Sequence, residues 1–137
     1  ELFDWSKEED EQIRYYSGTA VYKTTFRWKS KVKEDQQVYL NLGKVCDLAT
    51  VRVNGIDCGT IWTAPYRADI TAALKKGVNE LEIEVTNTWA NALKGADEGK
   101  APFDGIWTNA KYRRAENTLL PAGLLGPLNF DVANKNK

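Results

Sequence analysis

Val51 to Thr71, VRVNGIDCGTIWTAPYRADIT, is the stretch on which the fold turns. Asn54-Gly55 between alternating apolar residues is a two-residue hairpin turn, because both positions tolerate the positive φ that such a turn demands. That register sets Val53 against Ile56, Arg52 against Asp57 and Val51 against Cys58. Val51, Val53, Ile56 and Cys58 are then expected on one buried face. Simple alternation carries Trp62 to the same side. Pro65, Tyr66, Arg67 and Asp69 follow, a group that fits a sugar platform or the packed corner of a sandwich. The register favours the corner, with Tyr66 as its anchor and Arg67 paired with Asp69 or a backbone carbonyl. Only Arg67 and the outer edge of Tyr66 stay open to a ligand.

Working outward, the period remains two. Tyr22, Thr24, Phe26 and Trp28 alternate with Lys23, Thr25, Arg27 and Lys29, and Val38, Leu40 and Leu42 with Tyr39 and Asn41. Leu81, Ile83 and Val85 alternate with Glu80, Glu82, Glu84 and Thr86. Such strands have one wet face, as antiparallel sheets do. Turn signals separate them at Lys33-Glu34-Asp35, Leu42-Gly43, Asn54-Gly55, Lys76-Gly77 and Gly126-Pro127. Leu128, Phe130 and Val132 supply a last strand. Helix signals are confined to one turn after a Thr71 cap, stopped by Gly77, and a short piece within Ser6 to Ile13. The reading is all-β: one antiparallel β-sandwich domain over 1–137, a jelly roll of about seven or eight strands. A long irregular loop follows the strand 80–87. That region, Trp89 to Gly126, has no sustained period but carries Trp89, Phe103, Trp107 and Tyr112, so an ordered excursion is expected there.

Composition closes off several functions. Lys and Arg balance Asp and Glu at 19 each, so no overall field draws the chain to nucleic acid or to an anionic membrane. No apolar run approaches the ~20 residues of a membrane-spanning helix. Histidine is absent, which removes Ser-His-Asp and Cys-His triads and any His-containing zinc site. Two cysteines remain. In the hairpin register Cys46 lies roughly 16 Å along the strand from the partner of Cys58, too far for a disulfide, so free thiols are expected. With no methionine, the sequence reads as a piece of a longer protein.

Three segments in order resemble the galactose-binding-like jelly rolls of glycoside hydrolases. Gly18-Thr19-Ala20-Val21-Tyr22 to Phe26 looks like the opening strand of the sugar-binding-type domain in glycoside hydrolase family 2. Val51-Arg52-Val53-Asn54-Gly55 supplies the hairpin, and Asp69-Ile70-Thr71 with Leu74-Lys75-Lys76-Gly77-Val78-Asn79-Glu80-Leu81 the corner. A narrower resemblance joins Asp4-Trp5, Asn87-Thr88-Trp89-Ala90-Asn91-Ala92-Leu93 and Leu120-Pro121-Ala122-Gly123. These look like the C-terminal β-sandwich of bacterial α-L-rhamnosidases of family 106. The chain departs from that pattern at Lys94, where an apolar residue is expected. The resemblance implies an ancillary domain of a bacterial glycoside hydrolase, rhamnosidase- or β-galactosidase-like, in the periplasm or outside the cell. Its partners would be the catalytic domain of the parent enzyme and a plant-derived glycan.

Glycoside hydrolysis requires two carboxyl groups facing one bond, one of them desolvated. Glu80, Glu82 and Glu84 share a wet face, Glu8 to Glu11 form a solvated run, and Asp57 faces Arg52. No catalytic residue is therefore assigned. Sugar recognition combines an aromatic face with amide, carboxylate and guanidinium groups, usually on loops. The candidates are Trp107 and Asp104 in the long loop, then Arg67, Tyr66 and Asn91. Parity directs Trp89 inward. Asp97, Glu98 and Asp104 are oxygen ligands of the kind calcium takes, but their spacing is not that of an EF-hand, and neither metal nor cofactor is assigned. Tyr112-Arg113-Arg114 is too narrow a basic cluster for nucleic acid.

Overall fold

The computed structural model describes residues 1–100, 104–109 and 118–135. Among them run nine strands: β1 (Thr19–Trp28), β2 (Gln36–Asn41), β3 (Lys44–Cys46), β4 (Leu48–Val53), β5 (Ile56–Ile61), β6 (Arg67–Asp69), β7 (Gly77–Thr86), β8 (Gly123–Gly126) and β9 (Asn129–Asn134). A 3-10 turn over Trp5–Lys7 and helices α1 (Glu11–Arg14) and α2 (Ala90–Asp97) complete the description. A large sheet has the order β1-β7-β4-β5, a small one β6-β2-β9, and β3 pairs with β8. Every strand pair is antiparallel.

One core joins the sheets. Ala49, Val51 and Val53 of β4 and Leu81, Ile83 and Val85 of β7 meet Val38 and Leu40 of β2, with Ile70 and Leu124 closing the ends. Full burial of each larger side chain is worth roughly 1.5–3 kcal/mol. The alternation expected in β2 and β7 is therefore realised.

The hairpin holds its predicted register at the turn, Val53 opposite Ile56 and Arg52 opposite Asp57, and then slips. Thr50 faces Thr60 and Ala49 faces Ile61, so the β5 side carries one extra residue. Gly59, at φ +106°, occupies the bulge, a conformation open to glycine. Asp57 Oδ1 accepts the Gly59 amide at 2.7 Å. The extra residue inverts parity beyond it. Trp62, expected in the core, is 72% exposed; Ile56 is also exposed at the edge, and Cys58 only half-buried. Neither cysteine is bonded to the other.

The corner is built by asparagines. Asn79, fully buried, accepts the Lys75 amide through Oδ1 and donates through Nδ2 to the carbonyls of Lys75 and Gly77. Asn54 Nδ2 donates to Asn79 Oδ1 at 2.8 Å and to the Ala73 carbonyl. The turn residue thus locks the hairpin to the corner. Thr71 is not the cap that was expected: Asp69 Oδ1 accepts its amide at 3.0 Å, and its own hydroxyl accepts the Val38 amide at 2.9 Å. The residues 71–76 form turns and bends instead of a helix.

The amino-terminal segment is tied to β8 and to the residue before it. The Trp5 amide donates to the Ala122 carbonyl, and the Ala122 amide to Asp4 Oδ1. Trp5 Nε1 donates to the Tyr22 hydroxyl at 2.8 Å, which also accepts the Leu124 amide. Gly43 and Gly126 form a bridge so close that a Cβ on Gly43 would sit 2.3 Å from the Gly126 carbonyl.

Candidate functional site

The long connection after β7 opens with helix α2, an element that no sequence period announces. Helix α2 carries Asn91, Ala92, Lys94 and Gly95 into the interior. Asn91, selected as a ligand contact, is only 2% exposed. Its Nδ2 donates to the Leu120 carbonyl at 2.7 Å, and its Oδ1 accepts the Leu120 amide at 2.8 Å. That amide clamps the closing segment to the helix rather than facing solvent. Lys94 occupies the apolar position of the resemblance and is buried accordingly; its ammonium pairs with Glu98 at 3.3 Å. The Tyr15 hydroxyl donates to the other Glu98 oxygen at 2.9 Å. Burial, then that bond, raises the Tyr15 pKa, while the Tyr15 bond holds Glu98 below the ordinary carboxylate range.

Trp89 also lies away from its expected place. Expected inward by parity, it is 58% exposed, because the strand ends at Thr86 and its alternation no longer applies. Trp107 is 78% exposed. Both line an open depression of about 440 Å³ with Leu93, Gly105, Ile106 and Thr108. Asp104 is exposed three residues before Trp107 in the same segment. Phe103 and the Tyr112-Arg113-Arg114 cluster lie outside the described residues.

Arg67 and Tyr66 separate in space. Tyr66 packs against the core and its carbonyl accepts the Leu42 amide, as a corner anchor should. Among the described residues Arg67 pairs with neither Asp69 nor a carbonyl through its side chain; its guanidinium lies 4.5 Å from the centroid of the Tyr39 ring. Register places it in a polar grid on the outer face of the small sheet. Asn129, Asn41 and Arg67 form one row across β9, β2 and β6; Asp131, Tyr39 and Asp69 form the next. Asn41 Nδ2 donates to Asn129 Oδ1 at 2.7 Å and also to Asp131. In the sequence Tyr39 and Asn41 mark only the wet face of a strand. Nothing local distinguishes them, because Asn41's partners lie 88 and 90 positions away and the guanidinium over Tyr39 comes from β6.

The outer face of the large sheet has a different character. Lys23 pairs with Glu82 at 3.1 Å, and Arg52 with Glu82 and Glu84 at 3.2 and 3.3 Å. The expected Arg52–Asp57 ion pair is absent among these, since Arg52 turns across the sheet to β7. Glu82 is held below the ordinary carboxylate range, chiefly by the Lys23 hydrogen bond. A glycosidase acid needs the opposite shift. Among the described residues no three His, Cys, Asp or Glu side chains converge as metal ligands would.

An antiparallel sandwich with this hairpin and corner is a galactose-binding-like domain. The chain belongs to the family "Glycosyl hydrolase 2 galactose-binding domain-like", which it matches over residues 4–118. It is 40% identical over 157 aligned residues to a Formosa agariphila protein named "Putative beta-glucuronidase", covering 96% of this chain and 13% of that protein. In structure it is similar to the rhamnosidase of Novosphingobium sp. PP1Y, at TM-score 0.80 and 43% identity, covering 94% of this chain and 12% of that one. An FMN-binding β-glucuronidase from Facaelibacterium prausnitzii L2-6 matches at TM-score 0.60 and 25% identity, over 96% of this chain and 18% of its own. The chain thus spans only about an eighth of the first two relatives.

Proposed function

We propose that the chain is a non-catalytic, carbohydrate-binding β-sandwich of a bacterial glycoside hydrolase with rhamnosidase- or β-galactosidase-like chemistry. The reaction belongs to a catalytic domain of the same polypeptide, against which this domain packs. The observation that carries the sugar-binding reading is the exposure of Trp89 and Trp107 on one depression. Indole faces exposed together offer the flat apolar surface that the C–H face of a sugar covers, and Asp104 supplies an acceptor for hydroxyls on the same segment. Calcium is not needed by this reading.

Titration of the domain with a panel of plant oligosaccharides, followed by tryptophan fluorescence, tests it. The expected result is a saturable change with at least one glycan, and loss of affinity by about tenfold or more in Trp107→Ala. A flat response across the panel would favour a second reading, a purely structural domain that packs on the catalytic domain and has no sugar site. That second reading draws on Phe130 and Val132, inner-face residues of β9 that remain exposed. A partner domain would cover them.

A further inference from the structure

We infer that the outer face of the small sheet is a second and separate binding surface, for a neutral sugar residue. Its side chains are planar and polar, and they come from three strands whose register fixes them. Neighbouring strands stand about 4.8 Å apart, so Asn129, Asn41 and Arg67 form an unbroken row of amide, amide and guanidinium. The guanidinium is positioned by the Tyr39 ring instead of a carboxylate. Its fork of donors is therefore oriented and, among the described residues, not consumed. Beside it, Asp131 has spent one oxygen on Asn41, and Asn129 has spent its Oδ1 on the same amide, leaving a carboxylate oxygen and an Nδ2 donor. Asp69 is committed to Thr71 through Oδ1.

What remains is an alternation of donors and acceptors over one flat patch. A hydroxyl group is both donor and acceptor, so adjacent hydroxyls can bridge the Asp131 oxygen to the Asn129 amide or the Arg67 fork. Charge selects among ligands. Asp69 and Asp131 outnumber Arg67 by one negative charge, which disfavours phosphates, nucleic acid and uronates and leaves neutral pyranosides. The patch is distinct from the tryptophan depression, which is built from α2 and the segment 105–108. It does not depend on the ligand proposed there.

Amide-resolved NMR of the whole chain, titrated with millimolar methyl α-L-rhamnoside and methyl β-D-galactoside, reads both sites at once. Shifts are expected at the backbone amides of Tyr39, Asn41, Asn129 and Asp131 and at the Arg67 side chain for at least one of the two. Arg67→Ala and Asn41→Ala should each weaken that response by about fivefold or more, the loss of a charge-assisted or neutral hydrogen bond. Trp107→Ala should leave it unchanged, and methyl β-D-glucuronide should bind several-fold more weakly. The spectra themselves show whether each variant is folded, and Arg67→Lys, which keeps the charge but loses the fork, should lose affinity if the fork matters. Shifts restricted to the Trp89 and Trp107 indoles would overturn the inference and leave the tryptophan site standing. Silence throughout, or glucuronide binding as tightly as the neutral glycosides, would overturn it as well.

Discussion

The two sheets of this sandwich share one core and present opposite kinds of outer face. On the large sheet, Lys23, Arg52, Glu82 and Glu84 neutralise one another across β1, β7 and β4. On the small sheet, Arg67 stacks on Tyr39 while Asn41, Asn129 and Asp131 keep part of their hydrogen-bonding capacity. Both faces are polar, and composition alone would rank the first as the more charged. The difference is in partners. A face whose charges are spent on each other has little left for a ligand, whereas one whose groups are oriented but incompletely bonded is ready to exchange water for hydroxyls.

That contrast presupposes that the sheets are equal walls of one core. Leu40→Ala beneath the small sheet and Ile83→Ala beneath the large one should each cost about 2–5 kcal/mol in urea unfolding. A cost below ~1 kcal/mol for Leu40→Ala would make the small sheet an appendage and break the comparison. Gly43→Ala tests the crossing of the β2–β3 link against the end of β8. Its Cβ would meet the Gly126 backbone at 2.3 Å, and the residue holds φ +65°. A loss of about 1–3 kcal/mol is expected, and a variant melting like the wild type would show that the crossing relaxes freely.

The paired face should also be the acid-sensitive one. Glu82 has a folded-state pKa below its unfolded value, first through the Lys23 hydrogen bond and then through Arg52. Its contribution is complete above the unfolded pKa of about 4.3 and is lost as pH falls through the folded value. Glu82→Gln should therefore flatten the acid limb of urea midpoint against pH. Parallel acid limbs for wild type and Glu82→Gln would remove the distinction. The smallest effect expected is the Arg67–Tyr39 stack itself. A double-mutant cycle with Arg67→Ala and Tyr39→Leu should return a coupling of about 0.5–1 kcal/mol, and zero coupling would mean that Arg67 is not positioned by the ring.

Much of the framework was readable from the sequence. Alternation in β2, β4 and β7 identified Val38, Leu40, Val51, Val53, Ile83 and Val85 as core, and Asn54-Gly55 gave the hairpin and its first two pairs. Trp62 and Trp89 were misplaced for related reasons. Parity holds only while the ladder is regular, and Trp62 lies beyond the Gly59 bulge and Trp89 beyond the end of β7. Asn91 was of the right type for a sugar contact, but α2 turns it inward, and a helix of eight residues in a glycine-containing segment left little periodic signal.

The sequence by itself determined which faces of most strands are wet, where the hairpin turns and which family of sandwich results, because these rest on neighbours two or three residues apart. Only the tertiary structure decided the partners on each wet face. Whether an arginine meets two glutamates, as Arg52 does, or a tyrosine ring, as Arg67 does, depends on which distant strand pairs alongside and in what register. Asn41 finds Asn129 and Asp131 solely because β9 returns beside β2. Side-chain hydrogen bonds and ion pairs reach only a few ångströms, so a register set by the whole core, and not by the residues themselves, decides which polar groups are satisfied and which stay available.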